Sequence, residues 1–183
     1  MAHRLQPLRR AVAGALAGVA ATLAMDLVWY VRARREGSDE GFAEWEVVGA
    51  LDSWDAAPAP GQMGCKILRA IAGSEPPVER AAAISNAMHW IYGTSWAIGY
   101  ALAFDHRRGW AGPALGAAVW SADYVTLPLA GLYEPIWRYD APTLIRDLGA
   151  HLVFGTVTDV ALRVAERRAS VRTIGSTRVA MRR

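Results

Sequence analysis

Asp26, His89, Asp123 and His151 are titratable residues set inside four apolar, helix-length stretches of a 183-residue chain. Imidazole and carboxylate groups exchange protons near neutral pH and ligate divalent metals, and a charge in hydrocarbon is costly, so such residues mark candidate functional positions. They recur in order: Asp late in the first stretch, His early in the second, Asp late in the third, His early in the fourth. Asp159 follows on the same helical face as His151. Three chemistries suit this set. Asp–His hydrogen bonds across helices would form a structural polar network that selects helix partners. A His beside an Asp could pass protons in linked transport, with Asp159 extending the path. Asp26, His89, Asp123 and His151 together could hold a divalent metal, and two His on separate helices could serve as axial ligands of a b-type haem. Ser85, Ser95 and Ser121 sit in no nucleophile motif and no His-Glu-x-x-His occurs, so catalysis is not expected.

The stretches that must position these residues run over 12–31, 81–104, 110–132 and 144–163. A membrane crossing needs roughly 20 mainly apolar residues. The first three stretches meet that length, and the fourth does so only if Arg146 and Asp147 lie at one interface and Asp159 near the other. Hydrophobic residues make up 53% of the chain and charged ones 20%, below the usual charged share of a soluble domain. Arg4, Arg9, Arg10, Arg107, Arg108 and the arginines of 164–183 fall on one side of this arrangement. The bias of basic residues towards the cytoplasm then predicts a multi-pass inner (plasma) membrane protein with both termini and a basic tail inside. A signal peptide at the first stretch and a soluble Ala-rich bundle are the alternatives.

The two halves resemble each other. GVAATLAMDLV (18–28) matches GAAVWSADYV (116–125), and HWIYGT (89–94) matches HLVFGT (151–156). The expected fold is therefore all-α: an integral-membrane four-helix bundle made of two parallel-repeat helical hairpins. Gly14 with Gly18, and Gly112 with Gly116, form small-residue pairs that let helices approach, with Gly93 and Gly155 at matching places in the partner helices. The same glycine faces could support a homodimer or another membrane-protein partner. At 1.5 Å per residue the four Asp and His residues fall in one layer, on the order of 10 Å below the outer boundary.

Residues 32–80 make a long outer loop that should contain structure of its own. DEGFAEWEVVGALDSW (39–54) predicts a short helix with Phe42 and Trp45 on one side. QMGCKILRAIAG (62–73) predicts a second, with Met63, Ile67, Leu68 and Ile71 broadly on one face. Both would lie on the outer surface and cap the Asp/His layer. Cys65 is the one cysteine, which excludes an internal disulfide and is expected to be an unpaired thiol without a role. The basic tail suits anionic lipid headgroups of the bilayer, and nucleic acid is not an expected partner.

AGALAGVAAT in the first stretch, HWIYGTSWAIGYALAF in the second, and GLYEPI followed by DLGAHLVFG in the last third carry a resemblance. The chain resembles the YagU-like family of small, largely uncharacterised bacterial inner-membrane proteins. That resemblance implies an inner-membrane helical bundle and a link to acid tolerance, and it assigns no catalytic residue. The long outer loop and Asp26 depart from the family pattern.

Overall fold

A computed structural model describes the backbone of residues 2–103 and 109–180, and the side chains of 6–103 and 109–168. Phe104, expected to end the second stretch, and Arg107 and Arg108 lie outside the described residues, as do the side chains of Arg4, Arg172, Arg178, Arg182 and Arg183. The described chain is all-α. Its helices are α1 (Ala2–Arg35), α2 (Phe42–Glu46), α3 (Ala59–Ala72), α4 (Ala81–Ala103), α5 (Ala111–Leu129) and α6 (Ala141–Ala180).

α1 and α6 outrun the stretches expected of them, because Arg, Ala and Glu favour a helix and continue it after apolarity has ended. Among the described residues two segments are long and apolar enough to cross a membrane, 6–35 in α1 and 141–168 in α6. The expectation had the fourth stretch as the weakest. It stands among the strongest, while α4 and α5 are shorter helices whose Asn, His, Ser, Trp and Tyr dilute their apolarity.

α1 is one of two inner helices, with α6. It packs along α4 on one side and α6 on the other, α6 packs along α5, and α3 lies across α4. Small residues bring the backbones together. A side chain on Gly14 would meet the Ile98 Cα at 2.8 Å, and one on Gly18 the Thr94 Cα at 2.7 Å, so no larger residue fits the α1–α4 seam. On the other side, a Cβ on Gly116 would run into the His151 carbonyl, and one on Gly155 into the Gly112 and Gly116 backbone. Gly93 lies against Thr22 of α1 and Phe154 of α6. The core is thus built of Ala17, Ala21, Ala101, Leu115, Val119 and Phe154 around these seams. Large apolar side chains point outwards instead: Leu16 is 69% exposed and Leu129 84%, with Leu8, Leu23, Leu27, Val31, Val125 and Ile145 also exposed.

The outer loop is structured and pinned. The Asn86 amide on α4 exchanges two hydrogen bonds with the Val48 backbone: Val48 N donates to Oδ1 at 3.0 Å and Nδ2 donates to the Val48 carbonyl at 3.1 Å. The Trp54 indole donates to the Pro76 carbonyl at 2.9 Å. Phe42 and Trp45 clasp Tyr30 of α1, with ring centroids 5.3 and 5.6 Å away. α3 meets α4 through small residues. Its contact face is Gly61, Gly64 and Cys65 against Ser85, Ile84 and Met88 of α4, because only small residues allow so close a crossing. Ile67, Leu68 and Ile71 of α3 stay exposed. Cys65 is buried and free, and burial, followed by the nearby Glu75 charge, pushes its thiol up from the ordinary range.

Candidate functional site

Asp26 lies one turn after Thr22 and two turns after Gly18, so the face of α1 that carries the small residues also turns its carboxylate inwards. Asp26 is 4% exposed. Both of its oxygens face the His89 Nε2 of α4, at 3.1 and 3.0 Å. The second hairpin repeats the contact with different surroundings. His151 of α6 places Nε2 3.2 Å from Asp123 Oδ2 on α5. Its Nδ1 donates to the Asp147 carbonyl one turn earlier at 2.8 Å and lies 3.4 Å from the Asp147 carboxylate. The Tyr92 hydroxyl of α4 donates to the other Asp123 oxygen, so Asp123 is bonded from both hairpins.

The structure therefore joins Asp26, His89, Asp123 and His151 as two pairs. A haem held between the two histidines does not fit: each Nε2 is turned to a carboxylate, and both His151 nitrogens are engaged. Asp159 stands apart from the layer. It is 3% exposed, accepts a hydrogen bond from the Tyr100 hydroxyl of α4 at 2.9 Å, and pairs with Arg163 at 2.6 Å. An aspartate clamped by a guanidinium on its own helix ties α4 to α6 and is poorly placed to relay protons.

Sequence reasoning missed Glu46. This residue ends α2, and its carboxylate joins Asp26 and His89 in a group whose ligand atoms all lie within 4.8 Å of one another. Burial, followed by the negative charge of Asp26, raises the Glu46 carboxyl to about 7. Its Oε1 is buried and has no hydrogen-bond partner among the described residues. The sequence carried little signal for it: Glu46 lies four positions after Phe42, but a five-residue helix is too short to show a face by spacing.

Between the pairs lies a cavity of about 290 Å³. His89, Tyr92, Asp123, Asp147, His151 and Tyr133 supply its polar wall; Met25, Met63, Met88, Leu127 and Phe154 supply much of the apolar one. Ala59 and Pro60 at the start of α3 close one side. Burial, then the charges of Asp147 and Asp123, push the Tyr133 hydroxyl up to about 12, so it stays a hydrogen-bond donor. Thr22, also on this wall, is 1% exposed and its hydroxyl has no partner among the described residues.

No family model, curated protein or solved structure matches this chain. Its function is read from the geometry alone. Within that geometry α1 and α4 share one Asp–His pair, α5 and α6 share the other, and an outer-loop carboxylate completes only the first.

Proposed function

We propose that this chain is an integral inner-membrane protein whose four long helices form two matching hairpins, and that the Asp/His pairs act as a structural polar network near the outer face. The chain would serve as a scaffold or accessory subunit. The observation that carries this reading is that each Asp–His contact joins the two helices of one hairpin, with the glycine seam of that hairpin below it. The parallel repeat is supported by the same equivalence: Asp26 with His89 and Gly14 with Gly18 stand on one hairpin, Asp123 with His151 and Gly112 with Gly116 on the other.

Membrane insertion is supported by the distribution of apolar surface. Many exposed leucines and valines surround an interior in which Ala, Gly and Thr lie beside a few large residues such as Leu115 and Phe154, a distribution that suits a lipid surround. Exposed Ile67, Leu68 and Ile71 on α3, and Trp137 at 78% exposure after α5, suit the interfacial zone. Resistance to alkaline carbonate extraction, together with cytoplasmic reporters active at both termini, is the expected result. Release of the chain by carbonate would sink the membrane reading. For the network, double-mutant cycles on Asp26/His89 and on Asp123/His151 should each return coupling of about 0.6–2 kcal/mol in detergent. Strict additivity in both would remove the structural role.

Proton-linked solute transport is the second reading, and the cavity favours it. A concave space with a few converging polar groups is where a small molecule binds, and His89, Tyr92, Asp123 and His151 converge on this one. The variant with both His89→Gln and His151→Gln, compared with wild type for pH-dependent flux in liposomes, separates the two readings. Equal flux removes transport and leaves the network.

A further inference from the structure

We infer that Asp26, Glu46 and His89 form a binding site for one zinc-like divalent cation, closed from outside by the outer-loop helix α2. The three donors come from three separate elements, α1, α2 and α4, and converge so that their ligand atoms lie within 4.8 Å of one another. The donor set is one imidazole nitrogen and two carboxylate groups, which zinc accepts at about 2.0–2.2 Å per bond. Side-chain movement on the order of 1 Å brings such a group to tetrahedral spacing. His89 already presents Nε2, the atom a metal would take, towards both Asp26 oxygens.

Charge favours the same occupant. Two carboxyl groups converge beside one imidazole, and with both carboxyls ionised and the imidazole neutral a dication brings the group to zero net charge. Asp26 is 4% exposed. Among the described residues no ion pair joins a lysine or arginine to Asp26 or Glu46, and the neighbouring Arg32 and Arg34 pair with Glu36 and Asp39 on the exposed surface. The Glu46 Oε1, buried and without a hydrogen-bond partner among the described residues, is the second observation, because such an oxygen has a lone pair free for a cation. The pair in the other hairpin lacks this openness. His151 is bonded on both ring nitrogens and Asp123 on both oxygens.

The site adjoins the cavity through His89, the one of the three ligands on its wall. Water or a small ligand there would complete the sphere, as in zinc sites with three protein ligands. Binding would also fasten α2, and with it the stretch from Phe42 to Val48, to the bundle.

The test uses the full chain purified in detergent, treated with chelator and titrated with zinc chloride. Wild type is expected to bind a single equivalent saturably and to gain thermal stability on loading. Glu46→Gln and His89→Gln should each weaken zinc binding roughly tenfold or more, while Glu44→Gln, on the exposed side of α2, should bind as wild type does. Circular dichroism and a monodisperse elution profile check that the variants fold. X-ray absorption of zinc-loaded wild type supplies a measurement that needs no variant: a shell of oxygens with one imidazole is expected. A shell without imidazole, no saturable zinc binding by wild type, or wild-type affinity in Glu46→Gln would each overturn the site. Carbonate extraction reports separately on membrane insertion, so the metal site and the membrane reading can fail independently.

Discussion

The two Asp–His pairs start from the same residue types on corresponding helices and end as different objects. In the second hairpin the ring of His151 is held between Asp123 and Asp147, and Tyr92 reaches across from the first hairpin to take the remaining Asp123 oxygen. Every donor and acceptor there is used within the bundle. In the first hairpin His89 meets Asp26 through one nitrogen, and the third member, Glu46, arrives from the outer loop with an oxygen left over. One pair is a closed fastening and the other an open socket. A matched pair of polar residues thus sets helix pairing, while its neighbours decide whether any capacity remains for a ligand.

The comparison breaks most visibly at the glycine seam under the closed pair. Gly116→Val would force α5 away from the His151 carbonyl and is expected to cost about 3 kcal/mol in detergent unfolding; an unchanged midpoint would show that the seam does not hold the pair. Next comes His151→Gln, which leaves Asp123 and Asp147 without their shared partner and should cost about 2 kcal/mol. Metal-free His89→Gln should cost less, below about 1 kcal/mol. The reverse ranking would abolish the distinction between fastening and socket. Tyr92→Phe removes the one side-chain bond from α4 to Asp123 and should cost about 1 kcal/mol, read in the same assay.

The smallest effect concerns the start of α6, which carries His151. Thr143 N donates to Asp140 Oδ1 at 2.9 Å, and this bond, together with that from the Thr143 hydroxyl, lowers the Asp140 carboxyl from its ordinary value. A lowered folded-state pKa means that the stabilisation is complete above the ordinary carboxylate range and disappears as pH falls through the folded value. Acid should therefore loosen the first turn of α6 in wild type. Asp140→Asn, which keeps the acceptor and loses the charge, should remove that part of the pH dependence. Hydrogen exchange at the amides of 141–145, followed from neutral to acid pH, reads it; the same acid response in both proteins would refute the assignment.

The helices that hold the site were legible because burial of small and polar residues repeats every three to four positions. Asp26 follows Gly14, Gly18 and Thr22 on one face, and His151 follows Asp147, so inward orientation could be read from spacing alone. Glu46 was not legible in that way. It ends a five-residue helix in a long loop, too short for a period to develop, and it meets Asp26 and His89 only because Asn86 and the Tyr30–Phe42–Trp45 cluster pin that loop down. The face that α3 turns to α4 was not legible either, because the crossing is close enough to admit only Gly61, Gly64 and Cys65, and such small residues leave no apolar period to read. Helix ends were also overrun, since apolarity marks where a helix could sit in lipid and says little about where its hydrogen bonding stops.

Small residues inside and large apolar residues outside carry a consequence for how this chain can change. In a water-soluble bundle the interior conserves bulk and the surface drifts. Here Leu16, Leu23, Val125 and Leu129 should exchange freely with other apolar residues, while Gly14, Gly18, Gly116 and Gly155 should tolerate almost nothing. A saturation map of tolerated substitutions would be the photographic negative of the one such a bundle gives.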